Sequence, residues 1–127
     1  MVSITRSIIK STNHIYKNNE IKKSPDSLRV NRIINFIETN YINNITLGDV
    51  SKALFLSPRQ INWVLLKQLN ITFHDYLLNH RITIAKKLIR ETEMSIENIA
   101  YQAGFSSHYY MYQVFKHKGL PSPATLR

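Results

Sequence analysis

The chain has 127 residues, with 17 Lys and Arg against 8 Asp and Glu, a formal net charge of +9, and hydrophobic residues at 43%. That suffices for one domain, or two small subdomains sharing a helix, and excludes wholesale disorder. The absence of cysteine removes disulfides, thiolate nucleophiles and cysteine-based metal centres and permits a reducing cytoplasmic setting.

Apolar runs such as Ala53-Leu54-Phe55-Leu56 fall far short of the ~18 residues of a membrane span, and Met1 to Lys10 lacks a signal-peptide block. A soluble, unexported protein with no membrane partner is expected. With only 3 Gly and 4 Pro and no alternating stretches, the chain reads as all-α. A basic helical domain suggests nucleic acid, although charge can also serve solubility alone.

Residues 1–27 are polar and basic and read as an arm or weak helix. Ser24-Pro25-Asp26-Ser27 supplies capping chemistry ahead of Val30, Ile33, Ile34, Ile37 and Tyr41, which are spaced for an amphipathic helix. Thr46 and Asp49 form a capping arrangement for a short helix through Phe55, and Ser57-Pro58 opens another to about Leu69. A longer helix, Phe73 to Thr92, carries Leu78, Ile82, Ala85 and Ile89 on one stripe and Leu77, Ile84 and Leu88 on another, as a shared spine would. Ser95 caps a short helix with Ile99 and Ala100. Gly104 sits at a left-handed stop, Ser106-Ser107 can cap a last helix from His108 to about Lys118, and Gly119 and Pro121 end it.

Val50, Phe55-Leu56-Ser57 and Leu65 recur as Ile99, Gly104-Phe105-Ser106 and Phe115, a helix-turn-helix arrangement used twice. The expected organisation is an arm over 1–27, a first subdomain over 28–72, a linker helix over 73–93 and a second subdomain over 94–127.

On the helix opened by Ser57, a wheel places Ile61, Val64, Leu65 and Leu69 toward a core and turns Arg59, Trp63 and Lys67 outward, with Gln60 and Asn62 at the margins. Such a face can reach base edges in a major groove, or it is a solvated face with a stray aromatic. Trp63 and Leu66, three residues apart on the outward half, suggest a contact of some kind. The last helix buries Tyr110, Met111, Val114 and Phe115 and presents His108, Tyr109, Tyr112, Gln113 and Lys116, groups that suit base and phosphate contacts or a protein interface. No catalytic constellation is present. The five histidines share no metal-ligand spacing, and no glycine-rich phosphate loop exists, so no enzyme, metal or cofactor is expected.

From about Leu28 to Arg127 the chain resembles the DNA-binding domain of AraC/XylS-family bacterial transcription regulators. The resemblance rests on Ile96-Glu-Asn-Ile-Ala-Tyr-Gln-Ala-Gly-Phe105-Ser-Ser, on Tyr110-Met-Tyr-Gln-Val-Phe115-Lys116 and on Ser122-Pro123-Ala-Thr-Leu-Arg127. Ser57-Pro58, Tyr76-Leu77, Arg81-Ile82 and Ala85-Lys-Lys-Leu88 add to it. It implies about seven helices in two helix-turn-helix subdomains joined by a long linker helix, both reading helices entering successive major-groove segments of double-stranded DNA. It departs from the family at Trp63 and Gln113, where arginine is usual, at Leu66, another usually basic position, and at Phe55, where glycine is usual. Met111 replaces an aromatic residue, Leu120 a glycine and Leu126 another aromatic.

Base-facing roles are therefore expected for Arg59, Gln60, Asn62, Trp63, His108, Tyr109, Tyr112 and Gln113, with Trp63 on thymine methyls and Gln113 on adenine. Phosphate roles are expected for Ser57, Lys67, Lys86, Lys87, Arg90, Ser107 and Lys116 and the arm. The resemblance implies a bacterial regulator, an activator by expectation, monomeric on DNA, without a small-molecule effector, and meeting RNA polymerase at the nucleoid. The alternative is a degenerate member whose Trp63, Leu66, Tyr109 and Tyr112 surfaces dock onto another regulator or RNA polymerase.

Overall fold

A computed structural model describes residues 25–127, which form seven helices and no strand. They are α1 (Pro25–Asn40), α2 (Leu47–Leu54), α3 (Pro58–Leu69), α4 (Phe73–Glu91), α5 (Ile96–Gln102), α6 (His108–His117) and α7 (Pro123–Leu126). The arm expected over 1–27 lies outside the described residues, except that residues 25–27 already belong to α1.

Local chemistry sets the boundaries. Thr46 Oγ1 accepts from the Asp49 amide at 3.1 Å while the Asp49 carboxylate accepts from the Thr46 amide at 2.8 Å, closing a capping box at the start of α2. Ser57 and Gln60 repeat the box at α3, where Pro58 occupies the first turn. Thr72, Ser95, Ser107 and Ser122 each accept from the amide three residues on, at the starts of α4, α5, α6 and α7.

Two cores result. Val30, Ile33 and Ile37 of α1 pack with Val50, Leu56, Ile61, Val64, Leu65 and the first turns of α4 at Phe73 and Leu77. Leu78, Ile82, Ala85 and Ile89, farther along α4, pack with Ile99, Ala100, Phe105, Met111, Val114 and Phe115. One helix thus belongs to both halves, but the division runs along its length: of the stripe Leu77, Ile84 and Leu88 only Leu77 enters the first core, and Ile84 and Leu88 pack against the second. Leu69, expected on the core side, is exposed. It is the last residue of α3. The chain turns back at Asn70 (φ 57°), and Phe73 enters the core instead.

The two halves repeat each other. Val50, Leu56 and Leu65 occupy buried positions matched by Ile99, Phe105 and Phe115. The Leu56 amide donates to the Ser51 carbonyl, and the Phe105 amide to the Ala100 carbonyl, across equivalent turns. Both turns take a left-handed residue, Phe55 at φ 57° and Gly104 at φ 93°. Their surroundings differ. A Cβ on Gly104 would overlap the Tyr41 carbonyl oxygen and come within 2.9 Å of Arg81 Nε, so glycine is required by close approach as well as by backbone geometry. Phe55 is 91% exposed, so a side chain fits there, at a conformational cost.

His80 of α4 meets the Tyr41 ring edge-on, centroids 4.7 Å apart, and its Nε2 is buried without a hydrogen-bond partner among the described residues. Burial, and second the Arg81 charge, push its pKa down to about 4.

Two predictions follow from these groups. A left-handed L-residue costs ~1–2 kcal/mol, partly offset because glycine gains freedom in the unfolded chain. Phe55→Gly should therefore stabilise the fold by about 0.5–1 kcal/mol in urea denaturation; a destabilised variant would refute the strain assignment. For His80, the unfolded chain binds a proton near pH 6.5 while the folded chain refuses it until about pH 4. Stability is complete above that window and falls as pH drops through it, by up to about 3 kcal/mol. His80→Asn should flatten that acid limb of the denaturation midpoint relative to the parent.

Candidate nucleic-acid interface

Helix α3 presents an outward face beyond its buried Ile61, Val64 and Leu65. Arg59 is exposed, one turn later Trp63 is 55% exposed, and Leu66 is exposed beside it. Gln60 is exposed, and its Oε1 closes the capping box on the Ser57 amide, leaving its amide N–H groups outward. Ser57 Oγ accepts from the Gln60 amide and keeps its own hydrogen to donate.

Asn62 departs from expectation. Its Oδ1 accepts from the Phe73 amide at 2.9 Å in a part-buried position, satisfying a donor at the first turn of α4. It locks the α3–α4 turn, so its Oδ1 is committed to the chain itself. The reason lies in the loop that follows α3, which brings Phe73 back over the margin that a wheel shows as free.

Lys67 is engaged within the chain. Its Nζ lies 3.1 Å from Asp26 Oδ2 and 4.7 Å from the Trp63 ring centroid, and Asp26 also accepts from Arg29 at 3.0 Å. The Lys67 hydrogen bond, first, holds the Asp26 carboxyl below its ordinary range, against opposing desolvation. Ion pairs open to solvent are weak, so a phosphate can displace the carboxylate. The cluster nonetheless ties the first turn of α1 to α3 and covers one face of Trp63.

On α6, Tyr109 is 73% exposed and its ring lies 4.1 Å from that of His108, tilted by 32°. Tyr112 is half-buried, while Gln113 and Lys116 are exposed. Tyr110 turns inward, its ring 6.0 Å from that of Phe105. The Ser107 hydroxyl accepts from the Tyr110 amide at the start of the helix. On α4, Lys87 and Arg90 are exposed and Lys86 is half-buried. Among the described residues, no carboxylate is paired with Arg59, Lys86, Lys87, Arg90 or Lys116. No group of acidic or histidine side chains among the described residues can hold a metal, and no helix among them is long and apolar enough to cross a membrane.

Arg81 carries a role that the sequence motif Arg81-Ile82 does not reveal. It is 8% exposed on α4, and its Nε and Nη2 donate to the carbonyls of Tyr41 and Asn43 at 3.0 and 2.9 Å. The signal was available, because an arginine at position 81 interrupts the apolar stripe of Leu78, Ile82 and Ala85. At the other end of α4, Arg127 donates to the carbonyls of Ile89, Thr92 and Met94 and fastens α7 there.

Residues 50–127 match a family model described as a helix-turn-helix domain, the AraC/XylS type. The chain belongs to that family. It is 32% identical over 95 residues to the "Probable transcriptional regulator LumQ" of Photobacterium leiognathi, covering 75% of this chain and 38% of that protein. It is 36% identical over 87 residues to the "Transcriptional activator PerA" of Escherichia coli O127:H6, covering 68% and 31%. Among solved structures, the C-terminal domain of AraT, a response regulator from Geobacillus stearothermophilus, superposes with a TM-score of 0.75 at 28% identity, covering 84% of this chain and 86% of that one. The chain thus spans about a third of the length of these curated relatives.

Asn62 gives a direct check on this assignment of the α3 face. Asn62→Ala leaves the Phe73 amide unpaired and should lower stability by about 1–2 kcal/mol while leaving the base preference of any bound DNA unchanged. Loss of one preferred base with unaltered stability would restore a reading role.

Proposed function

We propose that the chain is a sequence-specific double-stranded DNA-binding transcription regulator, an activator, that lays α3 and α6 in successive major-groove segments. The observation that carries this reading is the repeat itself. Two helix-turn-helix units, each with a serine-capped second helix bearing an exposed polar and aromatic face, are seated on one shared α4.

Base contacts fall to Arg59, Gln60, Trp63, His108, Tyr109, Tyr112 and Gln113. Trp63 offers its open ring face and edge to thymine methyls, and the Gln113 amide suits adenine. Ser57, Ser107, Lys86, Lys87, Arg90 and Lys116 hold phosphates, with Lys67 recruited when DNA displaces Asp26. The protein acts in the bacterial cytoplasm as a monomer on DNA, responds to no small-molecule effector, and activates through RNA polymerase. The names of LumQ and PerA, regulators both, support this direction.

The test starts with selection from a random duplex library, followed by mobility shift on the winning sequences. Releasing counterions through the five phosphate-holding cations, Lys86, Lys87, Arg90, Lys116 and the recruited Lys67, gives a log–log slope near −4.5, or about a 500-fold loss of affinity between 50 and 200 mM salt. Lys116→Ala should reduce that slope by about 0.9 without changing the motif, and Arg59→Ala should weaken binding by about 10–100-fold and relax one base position. If no duplex is retained at low salt while a protein partner co-purifies, the exposed Trp63, Leu66 and Tyr109 surfaces are protein-docking faces and the DNA reading fails.

A further inference from the structure

The two cores are separate clusters, and beside their boundary the halves part around a groove of about 660 Å³ flanked by Ile42 and Thr46 on one side and Phe105 and Ser106 on the other. Beside the Tyr41–His80 ring contact, polar groups bridge them there. The Arg81 guanidinium, buried on α4, reaches the Tyr41 and Asn43 carbonyls in the loop after α1. Gly104, in the turn of the second half, rests against the same Tyr41 carbonyl and against Arg81 Nε.

This knot is suited to holding an angle. Helix α1 has no basic residue in its last turn, so Arg81 supplies the cation its carbonyl end favours. A planar fork engaging two carbonyls two residues apart resists rotation in a way that a single ammonium cannot. Gly104 adds a steric stop from the other half, since even one methyl group would push the loops apart.

We infer that Arg81 and Gly104 together are positioning residues that fix the spacing and angle of α3 relative to α6, and so determine which separation of two half-sites on DNA the protein accepts. The inference rests on the two-helix reading above. Neither residue touches DNA in this scheme. Base identity stays with the outward faces of α3 and α6, and spacing is set by the seam.

The experiment uses the full chain and the random-duplex selection, then a series of the winning duplexes with one, two or three base pairs inserted between the motifs. Each inserted pair moves one half-site by about 3.4 Å and turns it by about 35°. The parent should return two motifs at one spacing and lose about ten-fold or more in affinity per insertion. Arg81→Lys keeps the charge and most of the stem but not the fork. It should return the same two motifs at scattered spacings and lose less than about three-fold per insertion. Gly104→Ala, which disturbs the seam from the other half, is the second variant, and melting curves select whichever variant is folded at the assay temperature.

Unchanged sharp spacing in a folded variant overturns the inference while leaving the two-helix reading intact. Tolerance of insertions by the parent itself also overturns it, whatever the variants do. A single motif from the parent overturns the two-helix reading and the inference with it.

Discussion

Leu77 and Leu78, adjacent on α4, enter different cores, and the rest of the arrangement depends on that division. Consecutive helical residues point about 100° apart, so the step from Leu77 to Leu78 passes the helix from one globule to the next with an angular offset between them. Phe73 and Leu77 carry the first core. Leu78, Ile82, Ala85 and Ile89 carry the second. The rotation between the two helix-turn-helix units is therefore written first into α4, and any residue that braces this rod against its neighbours trims that rotation. Tyr76 does so on the first side by donating its hydroxyl to Glu38 of α1 at 2.9 Å. Arg127 does so at the far end.

The paired turns show how one backbone solution tolerates different residues when the surroundings change. Gly104 and Phe55 both adopt positive φ, and in both turns the following apolar residue, Phe105 or Leu56, is drawn into a core. At Gly104 the loop after α1 presses on the α-carbon. At Phe55 nothing does, and the phenyl ring projects into solvent. The glycine at the second turn is thus fixed by tertiary contact, whereas at the first turn the backbone cost alone opposes a larger residue. Asn70, the other left-handed residue among the non-glycines described, belongs to a type that tolerates this region at little cost.

Helix ends and core faces were legible in the sequence because they are decided locally. The hydroxyl of Ser57 or Ser107 reaches an amide three residues away whatever the rest of the chain does, and the spacing of Ile33, Ile37 and Val30 defines a stripe without reference to a partner. The surroundings that the sequence does not show share one origin. A helical wheel gives the direction of a side chain but not what the chain brings to meet it. Asn62 lies on the margin of α3 and would be free if α4 did not return past it; Lys67 points outward, yet the start of α1 places Asp26 beside it. Leu69 lies on the apolar side of α3 but beyond the end of the core. Arg81 was the opposite case, a charged residue on an apolar stripe whose anomaly was visible while its partners, the carbonyls of Tyr41 and Asn43, were backbone atoms about 40 positions earlier that no side-chain pattern reveals.

The distribution of charge bears on how such a chain would discriminate among sequences. On the proposed reading, Lys86, Lys87 and Arg90 of α4 and Lys116 attract phosphates without regard to sequence. The exposed Trp63 and Gln113, proposed to face the groove, are uncharged, and Lys67 is drawn aside to Asp26. A tryptophan edge or one glutamine amide supports less discrimination than an arginine fork on guanine. Two modest readers become selective when they are rigidly joined, because the second engagement is then intramolecular and succeeds only at one separation. Weak reading by each helix and a stiff seam between them are in this sense complementary. Arg81 sits where such a seam requires a brace, its guanidinium bonded to the loop of one half and its Nε against the glycine turn of the other.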